Sequence, residues 1–336
     1  MSKRQSLLPA YLLLTAALLT LFVLGLVRGA VSIPLRDVLR ILSGSFEGRE
    51  AWRHIVIETR LPQAVTALFA GSSLAVSGLM LQTLFKNPLA GPSILGISDG
   101  ANLGVAVAMI YLGSTRYLTT IAGALTGAFI VLAIILAFSR KVSGSVMLLI
   151  IGIMVGYLAS AVISILNYYA SADKVHQYVM WGMGDFSGVS LARLPVLSGC
   201  AAAGLLCALL LVKPLNALLL GEAYATNLGI DVRRTRLAIL LCTGALTAVV
   251  TAFCGPISFI GLAVPHIARM LLGRSDHRHL LPVTLLSGAC IALLCNTLTI
   301  LPGSSQVLPL SAITPIVCAP VIIYVIVSRR NMHYFN

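Results

Sequence analysis

The stretch from Leu7 to Val27 contains no charged residue. A helix needs about 20 apolar residues to cross the hydrocarbon core of a bilayer. The stretch is not alone. Charged residues and Gly/Pro clusters divide the chain into ten apolar segments, at about 7–28, 62–84, 94–112, 117–138, 146–168, 191–212, 236–254, 257–272, 280–300 and 311–328. These are too long for barrel strands and do not alternate, so helices are expected. Composition agrees: 58% of residues are hydrophobic and 10% charged, with a mean hydropathy of +0.99. A soluble domain carries about 25% charge, and so few charges cannot cover a water-facing surface. Disorder and fibrous repeats are excluded by the same numbers. The expectation is an all-α polytopic membrane protein with about ten transmembrane helices.

Lys3 and Arg4 before the first apolar run imitate a secretion signal. A signal's apolar region is about 7–15 residues long, so the longer run is read as an uncleaved first helix. The second segment is expected to begin early, near Trp52, and the short eighth to be kinked or half-inserted at Pro265.

Lys and Arg number 23 against 10 Asp and Glu. In a membrane protein such an excess marks cytoplasmic edges. Lys3, Arg4, Arg140, Lys141, Arg233 and Arg234 share one side, while the arginines of the loop 28–61 are offset by Asp37, Glu47, Glu50 and Glu58. The short loops therefore favour both termini inside. No basic stripe interleaved with aromatics suggests nucleic acid. The seven cysteines fall in or beside apolar segments without a C-x-x-C and read as small apolar fillers. Three stretches lie outside the spans: 29–61 and 172–190 on the outer side, the latter starting as a short helix, and 213–235 on the inner side. The last reads as an amphipathic helix ending at Leu228-Gly229, with Gly as a left-handed cap.

Catalytic constellations are missing. There is no G-x-x-x-x-G-K-[ST], H-E-x-x-H or G-x-S-x-G. Asp276, His277 and His279 are a poor metal set. Within the spans the ionisable groups are Asp99, His266 and Arg269. Local roles are expected for them, with Asp99 satisfying backbone donors and Arg269 snorkelling to the inner edge. The pairs Gly100/Gly104, Gly123/Gly127 and Gly152/Gly156 read as close helix packing. A chain with a mostly neutral interior, a structured inner loop and no energy source of its own points to a transport channel driven by a partner. The alternative is an ion-coupled secondary transporter, for which intramembrane carboxylates are too few. An intramembrane enzyme would need paired carboxylates.

Specific runs narrow this reading. LQTLFKNPLAGPSILGISDGANLG (81–104) and GPISFIGLAVPHIARMLLGRSDHRHLLP (255–282) resemble the permeases of iron-chelate and cobalamin ABC importers. RLPQAVTALFAGSSLAVSG (60–78), LLGEAYATNLGIDVRRTR (219–236) and VLPLSAITPIVCAPVIIYVI (307–326) resemble the start of that family's second helix, its coupling segment and its last helix. The resemblance extends from about residue 55 to 330.

It implies a type II importer permease, with residues 1–336 as one transmembrane domain in a bacterial inner membrane. Two copies would form the channel, two separate ATPase subunits would bind ATP and Mg, and a periplasmic or surface-tethered binding protein would deliver the cargo. This chain would hold no cofactor. The cargo would be a ferric siderophore, haem or cobalamin. Glu222, Ala223, Leu228 and Gly229 match the ATPase contact. Asn87, Pro88 and Leu89, with Ser143, Gly144 and Ser145, match the cytoplasmic gate. The translocation path would be lined by Met154, Leu158, Val162 and Ile165 and by Ser311, Pro315 and Ala319. Many relatives carry Arg where this chain has Gln63 and Ile300, which leaves Arg53, Arg60, Lys174 and Gln306 as the expected contacts for the binding protein.

Overall fold

The computed structural model describes residues 7–142, 144–300 and 307–328, with nothing said of the side chains of Ser145, Ile326 and Ser328. All ten apolar segments are helical. Among the described residues six helices are long and apolar enough to cross a membrane: α1 (Leu8–Val27), α3 (Glu50–Phe85), α5 (Tyr117–Lys141), α6 (Ser145–Tyr169), α11 (Val232–Cys254) and α13 (His277–Thr299). The pair α8 (Leu194–Leu210) and α9 (Val212–Leu219) forms a seventh span if counted as one, bent by 51° at Leu211. Three shorter apolar helices complete the set: α4 (Ile97–Tyr111), α12 (Ile260–Leu272) and α14 (Leu310–Ser328). Between them lie α2 (Leu35–Leu42) and α7 (Ala172–Gly182) on the expected outer side and α10 (Glu222–Asn227) on the inner side.

The early start of the second segment is real, since α3 begins at Glu50. Its first part contains a π-helical turn, Ile55–Arg60. Pro265 lies inside α12. The expected single inner helix over 213–235 is instead two short ones. Gly221 takes φ +114 between α9 and α10, a conformation that side chains with a Cβ avoid. Gly229 takes φ +78 just after α10, as expected of a left-handed cap.

α3 is the hub. It packs against α13, α11, α12 and α8, while α1 lies on α13, α5 on α4 and α11, and α6 on α4. Small residues make the closest crossings. A Cβ on Gly78 would stand 1.7 Å from the carbonyl oxygen of Gly261, and one on Gly71 would stand 2.3 Å from that of Gly288. The expected glycine pairs also pack in this way. Gly100 and Gly104 face Gly127 and Gly123 across α4 and α5, and Gly152 and Gly156 of α6 meet Leu95, Gly96 and Asp99. Lipid tails are as apolar as leucine, so close backbone approach rather than hydrophobicity holds such helices together.

Candidate functional site

The end of the bundle expected to face inward gathers the residues expected to couple and gate. α10 is anchored by one fully buried side chain, Ala225. Around it Glu222, Ala223, Leu228 and Gly229 are all exposed, so the four expected contact residues form one accessible surface. Leu220 and Tyr224, which sequence reasoning passed over, extend it. Leu220 before the Gly221 break, Tyr224 within α10 and Leu228 just after it are each more than half exposed, three large apolar side chains left open around this helix.

Glu222 has a second neighbour. Its Oε1 accepts from Arg236 Nη2 at 2.9 Å, and Arg236 Nη1 donates to the carbonyl of Val142 at 3.3 Å. The Arg236 side chain is buried, whereas that of Glu222 is half exposed. A guanidinium fork can hold two acceptors at once. Here it joins α10 to the loop that leads into α6. Gly144 precedes α6 in extended conformation and Ser145 is its first residue, whereas Ser143 lies outside the described residues.

The other expected gate motif caps α3. Lys86 adopts the left-handed conformation at φ 47 and ends the helix. Asn87 then closes a tight turn, its Oδ1 accepting from the N–H of Leu89 at 2.9 Å. The carbonyl of Pro88 accepts from His266 Nε2 at 2.8 Å. Gln82, one turn earlier, bridges to α12 twice. It accepts from Arg269 Nη1 at 2.7 Å and donates to the carbonyl of Leu262 at 3.1 Å. His266 and Arg269 thus hold α12 against the end of α3; Arg269 was expected to snorkel, and its guanidinium instead reaches Gln82. Lys86 Nζ also lies 3.6 Å from where a Cβ on Gly221 would be, so the gate turn and the start of α10 meet.

A second polar group joins α9 to this region. Asn216 Nδ2 donates to Asp276 Oδ1 at 2.6 Å. Asn216 Oδ1 accepts from the backbone N–H of His277 at 2.8 Å and faces His277 Nδ1 at 2.9 Å. His277 Nε2 lies 2.8 Å from Thr83 Oγ1. Asp276 also caps α13, accepting from the N–H of Arg278 at 3.0 Å. Burial alone would raise the Asp276 carboxyl. The hydrogen bonds from Arg278 and Asn216 and the charges of His279 and Arg278 outweigh it and hold the group below the usual carboxylate range.

The expected path residues lie on open faces. Met154, Leu158, Val162 and Ile165 are exposed along α6, opposite the buried stripe of Leu148, Gly152, Gly156 and Ala159. Ser311 is exposed on α14, and Pro315 and Ala319 are half-buried.

At the end expected to face outward the expected docking set divides. Arg53 is exposed. Lys174 is partly covered and donates to the carbonyl of Ile110 at 2.8 Å. Gln306 lies outside the described residues. Arg60 is corrected: it is buried, and its guanidinium donates to the carbonyls of Leu26 at 2.8 Å, Val27 at 2.9 Å and Val31. The π-helical turn brings it inward, where it clamps the chain leaving α1. Gln63 is also buried and donates to Asn296 Oδ1 at 2.9 Å.

The described residues thus form a helical membrane protein with a small exposed helix wired to two chain turns, the architecture of a membrane protein driven from one side by a partner rather than of an enzyme site. Comparison with known proteins narrows the class. The FecCD transport family matches residues 17–328. The hemin transport system permease HmuU of Yersinia pestis is 34% identical over 94% of both chains. The vitamin B12 import permease BtuC of Escherichia coli is 36% identical over 82% of this chain and 84% of its own. A solved chain from a transporter assigned to the metal-chelate ABC type, in an inward-facing conformation, superposes with a TM-score of 0.82 at 30% identity over 94% of this chain and 97% of its own. This chain belongs to the FecCD transport family.

Proposed function

We propose that this chain is the membrane channel subunit of an ATP-driven importer of a bulky metal chelate. The cargo class is haem, cobalamin or a ferric siderophore; the hemin and vitamin B12 permeases named above support the first two. Two copies form the channel in a bacterial inner membrane with both termini cytoplasmic. Two separate ATPase subunits bind ATP and Mg and dock on the inner surface, and a binding protein delivers cargo from outside, with Arg53 and Lys174 among its contacts. The chain itself hydrolyses nothing.

The observation that carries this reading is the build of α10. Within and beside it Leu220, Tyr224 and Leu228 are exposed apolar side chains, the kind of surface that marks a protein contact. Glu222 and Arg236 connect the helix to the loop at Val142. A partner that moves α10 therefore moves the loop at the foot of α6. A two-state channel responds to a partner only through such differential contacts. The exposed apolar stripe of α6 supports the path assignment, because a wall without charge passes a bulky ligand without holding it.

The test is uptake by a strain lacking the gene. Labelled haem, cobalamin and a ferric siderophore are supplied to that strain, to one restored with the wild-type gene and to one restored with Tyr224→Asp. Loss of one ligand alone names the cargo, and Tyr224→Asp is expected to fail to restore it while reaching the membrane in normal amount. Undiminished uptake of all three would remove the cargo assignment. Full restoration by Tyr224→Asp would remove the docking assignment.

A further inference from the structure

The polar chain from Asn216 to Thr83 permits an assignment of every proton in it. The backbone N–H of His277 can only donate, so the Asn216 atom facing it is the oxygen. That orientation turns the Asn216 amide nitrogen to Asp276, whose carboxylate accepts. The same oxygen faces His277 Nδ1, so Nδ1 carries the hydrogen. In the neutral ring Nε2 is then an acceptor, and the Thr83 hydroxyl donates to it across 2.8 Å. Four side chains from α9, the turn before α13, α13 itself and α3 are thereby joined in one direction.

Thr83 has a second acceptor. The carbonyl of Leu79, one turn back in α3, lies 3.0 Å from its hydroxyl. The hydroxyl keeps a partner whether it points to His277 or rotates to Leu79. The link can therefore open without orphaning Thr83, and the cost of opening falls on the buried Nε2 of His277 alone. Position gives the joint its meaning. Asn216 lies on α9, which leads through Gly221 into α10. Thr83 is in the last turn of α3, and the N–H of Asn87 in the gate turn bonds back to Gln82 at 3.2 Å.

We propose that Asn216, His277 and Thr83 are positioning residues that transmit displacement of the coupling segment to the Asn87-Pro88-Leu89 turn. They form a second linkage beside the one from Glu222 through Arg236 to the loop at Val142. This rests on the importer reading above. The two linkages divide the work: one moves the end of α3, the other the start of α6.

The experiment uses the full chain assembled with its ATPase and binding protein in liposomes, measuring labelled haem, cobalamin or ferric siderophore, whichever the uptake test selects, transported per ATP hydrolysed. Thr83→Val removes the hydroxyl and keeps the shape, whereas Thr83→Ser keeps the hydroxyl. Thr83→Val is expected to lower the transport ratio at least fivefold with ATP hydrolysis within twofold of wild type, and Thr83→Ser to stay within twofold on both. A wild-type ratio in Thr83→Val, or equal loss in both variants, would overturn the proposal. Hydrogen exchange on the detergent-purified chain decides it without ATP. Asn216→Ala is expected to raise exchange over 84–90 and leave 146–150 unchanged, and Arg236→Ala to do the reverse. Unchanged exchange over 84–90 in Asn216→Ala would overturn the relay. A wild-type assembly that neither hydrolyses ATP nor imports would refute the importer reading, and the exchange result would still judge the relay on its own.

Discussion

α3 and α6 are both long membrane helices, and α6 is the more apolar of the two. Yet 83% of the most apolar window of α3 is buried inside the protein, against 22% for α6. In a soluble protein the more apolar helix would take the centre. Here the order is reversed, because a leucine gains nothing by leaving lipid for protein. What earns the central place is small size and polarity. α3 carries Gly71, Ser72, Ser73, Ser77 and Gly78 in one short stretch, together with Gln63, Gln82 and Thr83. Among the described residues the buried hydroxyls of Ser73 and Ser77 have no hydrogen-bond partner. Their contribution at the seam is therefore their size, while Gln63, Gln82 and Thr83 contribute bonds.

The largest test of this contrast is at Gly78. The Gly261 carbonyl oxygen stands 1.7 Å from where a Cβ would be, so Gly78→Val must drive α12 off α3 and break the contacts of His266 and Arg269 as well. We expect no monodisperse protein by fluorescence-detected size exclusion. Ala161→Val on the exposed face of α6 adds the same kind of bulk with no neighbour to displace and should elute as wild type. Equal behaviour of the two variants would erase the distinction between hub and edge.

Next in size is Arg60, which holds the outer part of α3 to the end of α1. Arg60→Ala leaves the carbonyls of Leu26, Val27 and Val31 without their donor. Hydrogen bonds to a charged group contribute about 1.5–3 kcal/mol each, so a loss of roughly 3 kcal/mol or more is expected. A clear fall in the thermal midpoint should follow, and Arg60→Lys should recover only part of it, since an ammonium cannot reproduce the fork. A midpoint unchanged in Arg60→Ala would return this residue to the surface role its charge suggests.

Arg60 also shows where the sequence stops being legible. The ten apolar segments could be read directly, because a charge is costly in a bilayer; only the start of the second, where α3 runs back to Glu50 through charged residues, was blurred. The glycine pairs were readable for the same kind of reason, since their spacing serves close packing. Glu222, Ala223, Leu228 and Gly229 were named by resemblance, and all four are exposed. Arg60 was misread because nothing in IVIETR announces a π-helical turn, and one added residue per turn is enough to rotate a side chain from outside to inside. Arg236 was missed for a different reason. It lies 14 positions from Glu222 and 94 from Val142, so only the fold reveals that it joins them. Thr83, Asn216 and His277 are likewise brought together from three distant stretches of the chain.

The contrast reaches the helix ends. The central α13 starts at a charged cap, Asp276, whereas the peripheral α6 starts after Gly144, which has no side chain to offer. Asp276→Ala should lower stability by about 1 kcal/mol near neutral pH, the usual contribution of a helix cap. The folded-state pKa of Asp276 lies below its unfolded value of about 3.9. The stabilisation is therefore fully present above pH ~4 and is lost as pH falls through the lower, folded value. The difference in thermal midpoint between wild type and Asp276→Ala should be constant from pH 7 to 5 and shrink at more acidic pH. A difference that grows on acidification would contradict the capping assignment.

The smallest stability effect should come from the open face of α6, and there the measurement of function outweighs that of stability. Leu158 is 68% exposed and Met154 53%, so truncation to Ala removes few protein contacts and should change the thermal midpoint in detergent by no more than a surface substitution does, about 0.5 kcal/mol. Ala159, beside Leu158 but 4% exposed, is the internal control. Ala159→Leu must overpack the seam with α4 and should destabilise by about 1–3 kcal/mol. If the stripe lines the channel, Met154→Ala and Leu158→Ala together should change the rate or apparent affinity of ligand uptake while leaving the amount of folded protein untouched. If the stripe meets only lipid, uptake should be unaffected as well. The face of a helix that the protein itself leaves uncovered is thus where function can be altered with least harm to the fold, and the buried seam one residue away is where it cannot.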